Sequence, residues 1–157
     1  MESKKDSPGV YIPPPLLYVL IFFVALLMQK KIPIDDALFH LYITKVAGAV
    51  LVAVALFFMV TSLRIFFRSK NTLIPIKPAS SLQTIGIYSI SRNPMYVGLA
   101  IAYLGITCFA GNWWNIILFP LLLLIVQQYI IIREEKYLHR RFGQEYLDYK
   151  IKVRRWL

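Results

Sequence analysis

Charged residues are scarce in this sequence, and three long stretches lack them altogether. Only 17% of the 157 residues are Lys, Arg, Asp or Glu, whereas 58% are hydrophobic, a balance far from that of an ordinary soluble domain. The uncharged stretches run from Ser7 to Gln29, from Val46 to Leu63 and from Asn93 to Ile132. One helical crossing of a bilayer takes roughly 20 apolar residues, so we expect the longest stretch to form two crossings joined by a tight turn.

These stretches predict an all-α integral membrane bundle of about four transmembrane helices. We expect a single domain, residues 1–157, with crossings at residues 15–28, 40–67, 94–110 and 115–132. After the last crossing, apolar residues recur every three or four positions, which predicts an amphipathic cytoplasmic helical segment over residues 133–157. This apolar stripe consists of Leu138, Phe142, Tyr146, Tyr149, Val153 and Trp156. Gly143 is expected to bend or interrupt the segment.

Cysteine occurs once, as Cys108, which excludes an internal disulfide. His40 and His139 are far apart in sequence, and no cluster of Cys, His or carboxylate residues has the spacing of metal ligands, so we expect no metal. A nucleophile elbow and a glycine-rich phosphate loop are also missing, although a Ser-His-Asp arrangement stays open.

Acidic residues are few, 8 against 18 basic ones, which gives a net charge of +10. Such a charge can indicate nucleic-acid binding, but most of the basic residues flank apolar segments, so we expect no nucleic-acid partner. The hairpin Ala110–Asn115 carries no basic residue. The positive-inside rule therefore predicts a multi-pass protein with both termini and the loop 68–93 in the cytoplasm, and this hairpin outside.

The first candidate site lies between Leu82 and Gly98. Pro94 can begin a helix, and unpaired backbone N–H groups at a helix N-terminus favour an anionic group such as a carboxylate. Arg92 would strengthen that preference, and Tyr96 would add a hydroxyl. A simpler interpretation, in which Arg92 and Tyr96 only anchor a helix end at the membrane interface, stays open.

The second candidate site begins with Glu134 and Glu135, directly after the fourth predicted crossing. The last two crossings form a hairpin, so Glu134 should return to the same membrane face as Arg92 and Tyr96. Adjacent residues point about 100° apart around a helix, so the two carboxylates are not expected to share one contact. Together these groups would suit a zwitterionic ligand, whereas the alternative is that both acids are solvated charges.

At these residues the chain resembles the isoprenylcysteine carboxyl methyltransferase family, which belongs with the phospholipid methyltransferases. That family carries Gly-x-Tyr-x-x-x-Arg-His-Pro-x-Tyr-x-Gly, a helical hairpin, and then Glu-Glu-x-x-Leu-x-x-x-Phe-Gly-x-x-Tyr-x-x-Tyr. The first motif is matched by Gly86, Tyr88, Arg92, Pro94, Tyr96 and Gly98. The second is matched by Glu134, Glu135, Leu138, Phe142, Gly143, Tyr146 and Tyr149. Asn93 stands at the histidine of the first motif.

The resemblance implies that S-adenosylmethionine binds on the cytoplasmic side and that a lipid or lipid-modified acceptor enters from the bilayer. The acceptor group that it implies first is the carboxylate of an isoprenylated cysteine or a similar isoprenoid acid. The cofactor-binding residues that it implies are Ser81, Leu82, Gln83, Tyr88, Asn93, Pro94, Met95, Tyr96 and Glu134. The expected catalytic residues are Arg92 and Arg133, the latter because Ile130 stands where eukaryotic members place a substrate-orienting arginine.

Three other functions stay open at this point. One is methylation of a phospholipid amine, which would need a deprotonation step. A second is a four-helix transporter of the small multidrug type, which needs a carboxylate within the membrane, usually in the first helix; Ser7–Gln29 contains none. The third is a non-catalytic membrane scaffold. Binding of S-adenosylhomocysteine would separate a methyltransferase from the last two.

Overall fold

A computed structural model describes residues 8–68 and 81–157, and within these ranges every regular element is a helix. Three helical stretches are long and apolar enough to cross a membrane, namely Pro14–Lys31, Tyr42–Arg68 and Trp113–Phe142, and a shorter apolar helix covers Pro94–Ala110. The predicted all-α membrane bundle is therefore confirmed. The helices are α1 (Pro14–Lys31), α2 (Ala37–His40), α3 (Tyr42–Arg68), α4 (Pro94–Ala110), α5 (Trp113–Ile125), α6 (Ile132–Phe142) and α7 (Gln144–Lys152), with a 3₁₀ turn at Gly86–Ser89 and a π-helical segment at Val126–Ile131.

The helices differ from the expected crossings in two places. The chain turns at Leu41, so α2 is a separate single turn before α3. At the other end, the π-helical segment joins α5 to α6, and the helix expected to end at 132 continues to Phe142. Gly143, with φ 55°, then separates α6 from α7, as predicted. Within the loop expected at 68–93, residues 69–80 lie outside the described residues.

Glycines set the close packing of α3 against α4. A Cβ at Gly48 would lie 2.8 Å from Cys108 Cβ and 3.1 Å from the Gly105 carbonyl oxygen. A Cβ at Gly105 would lie 3.1 Å from the Gly48 carbonyl oxygen and 2.9 Å from Val52 Cγ2. Because backbone atoms stand on both sides, a side chain at either position cannot be accommodated by a rotamer change. Small residues allow two membrane helices to approach in this way.

The turn between α4 and α5 follows the usual chemistry of helix ends. Gly111 ends α4 in the left-handed conformation, with φ 65°, where a glycine carries no Cβ penalty. Asn112 then caps α5 by accepting a hydrogen bond from the Trp114 backbone N–H at 2.9 Å. Trp114 Nε1 also donates to the Ile32 carbonyl at 2.8 Å, and Trp113 Nε1 to the Asp35 carbonyl at 2.9 Å. The two tryptophans thus hydrogen-bond this turn to the loop Ile32–Asp36, which follows α1.

An aromatic cluster fills the space between α1, α4 and α5. Tyr103 of α4 lies at its centre and stacks on Phe119 with ring centroids 5.8 Å apart. Tyr18 and Phe22 of α1 meet the same ring edge-on at 6.1 and 6.0 Å. The Tyr103 hydroxyl donates to Asn115 Oδ1 at 2.9 Å, so its polar end is satisfied inside the bundle.

The bundle has two distinct ends. One carries the connection Ile32–Asp36 and the α4–α5 turn, and there Lys45 donates to the last carbonyls of α4. The opposite end carries the described residues before α1, which are residues 8–13, together with the segment 81–93 and the C-terminal residues after α6. The residues matched by the sequence motifs therefore share one end of the molecule.

The first prediction tests the glycine contact. Replacing Gly48 by valine should weaken the α3–α4 pairing by roughly 1–3 kcal/mol, the usual cost of overpacking, because the new side chain meets backbone. The matched control is Ala49→Val, one residue further on, where the side chain is exposed. Thermal unfolding in detergent measures both variants. Equal stability of the two would contradict the packing described here.

A second prediction tests the orientation in the membrane, which follows from the charge asymmetry. In a Cys108→Ala background, a cysteine in place of exposed Gln144 should react with a membrane-impermeant maleimide from the cytoplasmic side only. A cysteine in place of exposed Asp35, at the other end of the bundle, should react only from the opposite side. The reverse pattern in sealed vesicles of known orientation would show that the termini lie outside.

Candidate functional site

The segment that precedes α4 is held by backbone contacts with the C-terminus. The Arg92 backbone N–H donates to the Arg154 carbonyl at 2.9 Å. The Asn93 side chain donates through Nδ2 to the Arg155 carbonyl at 2.9 Å, and buried Ser91 donates through Oγ to the same carbonyl at 3.3 Å. These bonds fix the start of α4 against residues some 60 positions later in the chain.

Glu135 forms the centre of an ion cluster at the same place. Arg155 donates to both of its carboxylate oxygens, from Nε at 2.9 Å and from Nη2 at 2.7 Å. Arg92 Nη1 lies 3.1 Å from Glu135 Oε1, and its side chain is only 8% exposed. Hydrogen bonding to Glu135 raises the pKa of Arg155, which keeps that guanidinium charged. Arg92 Nε is buried without a hydrogen-bond partner among the described residues, which leaves one donor for a ligand.

Two tyrosines of α7 complete the polar cluster. Tyr146 accepts a hydrogen bond from Arg92 Nη1 at 3.2 Å, and Tyr149 donates to the Tyr88 carbonyl at 2.6 Å. Burial raises the pKa of both phenols above its usual range, so Tyr149 remains a neutral donor. The apolar sides of Tyr146 and Tyr149 pack with Val153, Leu82, Leu138 and Phe142. The expected apolar stripe thus packs the tail against Leu82, in the segment before α4.

Tyr96 and Glu134 form a second polar pair, closer to the membrane-spanning helices. Tyr96 lies in the first turn of α4 and donates its hydroxyl proton to Glu134 Oε1 at 2.7 Å. Burial and the nearby charge of Glu134 both raise the pKa of Tyr88, which places that phenol near the same carboxylate. The adjacent acids Glu134 and Glu135 therefore have different partners, as their angular separation predicted.

The remaining predicted cofactor residues lie in the segment 81–95, which ends in the first turn of α4. Gln83 Nε2 donates to Ser81 Oγ at 2.8 Å, and Leu82 packs against the tyrosines of α7. Pro94 is buried in the first turn of α4, and Met95 beside it is partly buried. These residues share the end of the bundle that carries Tyr96 and Glu134.

Arg133 has contacts of a different kind. Its guanidinium lies over the Tyr129 ring, 4.4 Å from the centroid, and donates to the Gly9 carbonyl at 3.2 Å. These contacts join the N-terminal residues to the end of the π-helical segment, and Arg133 is exposed there. Arg92, by contrast, lies inside the ion cluster. The catalytic roles expected for Arg92 and Arg133 stay predictions.

Three residues that the sequence did not single out belong to this region. Arg155 is identified only by its bonds to Glu135, because the tail holds several equivalent basic residues. Tyr18 of α1 packs in the buried cluster on which Tyr96 also packs. The sequence of the apolar first crossing does not single out Tyr18, except that this residue carries a phenol. Gln127 accepts a hydrogen bond from Trp156 Nε1 at 3.0 Å and so holds the last aromatic residue of the tail.

Metal ligands are not assembled in the described part of the chain. Across residues 8–68 and 81–157, no group of three or more His, Cys, Asp or Glu residues could hold a metal ion.

A protein-family match covers more than half of the chain. The family model of the phospholipid methyltransferases matches residues 43–145, which cover α3 except its first residue and all of α4, α5 and α6. The chain belongs to the phospholipid methyltransferase family. This membership supports a membrane methyltransferase as the class of enzyme, and the family resemblance drawn from the two motifs is confirmed.

Two relatives extend the comparison. An uncharacterised protein of Haemophilus influenzae is 46% identical over 66 residues, which is 40% of this chain and 100% of that protein. A protein-S-isoprenylcysteine O-methyltransferase of Schizosaccharomyces pombe is 42% identical over 72 residues, or 46% of this chain and 30% of the yeast enzyme. The chain therefore aligns with less than a third of that enzyme. No solved structure matches the chain.

The contacts of the two acids generate the third prediction. Glu134→Gln should leave the fold intact, because Tyr96 can still donate to the amide oxygen. It should weaken binding of S-adenosylhomocysteine roughly ten- to a hundredfold, on the order of 1.5–3 kcal/mol, if the carboxylate accepts a hydrogen bond from the cofactor. Calorimetric titration measures the affinity, and thermal unfolding in detergent measures stability.

Glu135→Gln is the matched control for this prediction, because its effect should appear in stability. It leaves Arg92 and Arg155 facing one neutral amide, which should cost roughly 1.5–3 kcal/mol of stability. A Glu135→Gln variant as stable as the wild type would contradict the structural role of Glu135. A Glu134→Gln variant with unchanged affinity and reduced stability would contradict the binding role of Glu134.

Proposed function

We propose that this protein transfers a methyl group from S-adenosylmethionine to a lipophilic acceptor held in the membrane, most naturally the carboxylate of an isoprenylated cysteine or a similar isoprenoid acid. The observation that carries the proposal is the Tyr96–Glu134 pair, a partly buried hydrogen bond at the junction of the polar end and the apolar bundle. The family membership and the 42% sequence identity over 72 residues with the yeast O-methyltransferase support methyl transfer as the reaction class.

The donor set of this end fits the proposed cofactor. S-adenosylmethionine supplies a methyl group on a positively charged sulfonium and also carries an ammonium, a carboxylate and ribose hydroxyls. Glu134 would accept hydrogen bonds from a donor of the cofactor, and Tyr96 would hold that carboxylate in place. The free Nε–H of Arg92 would suit a carboxylate oxygen. The other residues proposed to hold the cofactor are Ser81, Leu82, Gln83, Tyr88, Asn93, Pro94 and Met95.

The proposed reaction demands little acid–base chemistry from the protein. In a displacement of this kind, a carboxylate oxygen forms the new bond to the methyl carbon while the bond from that carbon to sulfur breaks, and the sulfur takes the electron pair. A carboxylate is already ionised at neutral pH, so no residue has to remove a proton. What the chain supplies is alignment and exclusion of water. The tail, fastened by Arg155 and Tyr149, would provide the exclusion.

A phospholipid amine is the second candidate acceptor, and one observation favours it. An amine must lose a proton before it can attack, and Glu134, whose carboxylate already accepts a hydrogen bond from Tyr96, would be the group to receive that proton. Arg133, exposed at the same end beside Tyr129, would then be placed to contact a lipid phosphate, whereas with a prenylcysteine it would contact the acceptor carboxylate. With either acceptor, the site would face the cytoplasm.

The fourth prediction tests this function with two measurements on the purified protein in detergent. Isothermal titration should give saturable binding of S-adenosylhomocysteine. Incubation with methyl-labelled S-adenosylmethionine should transfer label to N-acetyl-S-farnesylcysteine as an ester, and mild alkali should release this label as methanol. Label in phosphatidylethanolamine that resists alkali would select the amine acceptor instead.

A protein that bound no S-adenosylhomocysteine would contradict the proposed function. The transporter and the scaffold would then be the alternatives left. Glu134→Gln serves as the matched variant, since its fold should be intact while its affinity for the cofactor falls.

A further inference from the structure

The hydroxyl of Tyr18 is an unusual feature of the first helix. Tyr18 is only 5% exposed, and its hydroxyl is buried with no hydrogen-bond partner among the described residues. Tyr103, whose ring it contacts, shows the normal arrangement, because the Tyr103 hydroxyl bonds to Asn115. A buried polar atom without a partner is destabilising unless something else satisfies it. A phenylalanine at position 18 would fill the same space without that cost.

The surroundings of Tyr18 show what could satisfy it. Tyr18 belongs to the buried cluster that includes Ile130 and Ile131, and Tyr96 packs on the same cluster. Ile130 lies one helical turn before Glu134, so the apolar wall ends where the Tyr96–Glu134 pair begins. The Tyr18 hydroxyl thus lies at the border between the apolar interior and the proposed site of methyl transfer.

We infer that the Tyr18 hydroxyl binds the methyl acceptor by donating a hydrogen bond to an oxygen of its polar head group. This inference deepens the proposed function and depends on it. An acceptor with a polar head and a long apolar body would place its head near Glu134 and its body among the apolar side chains of the bundle. Apart from Glu134 of α6, the candidate cofactor residues lie in the segment 81–96. Tyr18 comes from a different element, the first helix.

The chemistry of a carboxylate acceptor fits a donor at this position. A carboxylate has two oxygens, so one can accept the hydrogen bond from Tyr18 while the other forms the bond to the methyl carbon. The phenol keeps its proton throughout and only orients the head group. Tyr18 therefore favours acceptors with at least one oxygen beside the nucleophilic atom.

The fifth prediction compares Tyr18→Phe with Tyr103→Phe, two variants that each remove one phenol from the same aromatic cluster. Tyr18→Phe should unfold at the same temperature as the wild type or higher, because it removes an unpaired hydroxyl. Tyr103→Phe should unfold at a lower temperature, because it leaves Asn115 without its donor. Tyr18→Phe should also raise the Kd and KM for N-acetyl-S-farnesylcysteine about tenfold or more, while its affinity for S-adenosylhomocysteine and its kcat at saturation change less than about threefold.

Each other result overturns the inference. An unchanged Kd for N-acetyl-S-farnesylcysteine in Tyr18→Phe would show that the hydroxyl does not touch the acceptor. A loss of S-adenosylhomocysteine affinity of about tenfold would assign the hydroxyl to the cofactor instead. A fall in the unfolding temperature equal to that of Tyr103→Phe would make its role structural. In all three cases the proposed function stands, since the wild type would still bind S-adenosylhomocysteine and transfer label to the acceptor.

Discussion

The buried carboxylate of Glu135 is the constraint on which the end of the bundle that carries the candidate site depends. It joins α6 to Arg92, which precedes α4, and to Arg155, which follows α7. Two guanidinium groups share one carboxylate whose side chain is only 10% exposed, and removal of this carboxylate would leave the buried charge of Arg92 uncompensated, which is costly. Because Arg92 and Arg155 are held there, the backbone bonds between the start of α4 and the C-terminus can form. The position of Tyr96 follows from them.

Adjacent acids on one helix can therefore serve different purposes. Glu135 is occupied by its two arginines, and substitution there should affect the fold before it affects binding. Glu134 has one phenolic partner, so it retains acceptor capacity for a ligand. The angular step of about 100° between neighbouring helical residues separates these environments within a single turn. A structural cluster and a ligand-binding carboxylate can in this way occupy the same part of α6.

The membrane bundle was predictable because uncharged apolar runs of this length are typical of transmembrane helices and rare in soluble domains. The proximity of Glu134 to Tyr96 also followed from topology, since a hairpin returns the second motif to the face of the first. The continuation of the last crossing to Phe142 did not follow, because charged residues at a membrane boundary look the same whether the helix ends or continues. Tyr18 could not be identified either. Only three-dimensional packing reveals that its hydroxyl lacks a partner among the described residues.

Some residues of the proposed site lie inside the range matched by the family and others lie outside it, and this difference is relevant to which acceptor the protein would use. The match to the family begins at residue 43 and ends at residue 145, so it contains Arg92, Tyr96, Glu134 and Glu135. Tyr18 lies before it, and Arg155 lies after it. The shared part carries the groups proposed to hold the cofactor, which every member using the same methyl donor would need. Under the proposed function, the first helix would supply the surface that the acceptor touches, and a single phenol there would change the preferred head group without disturbing the residues proposed to hold the cofactor.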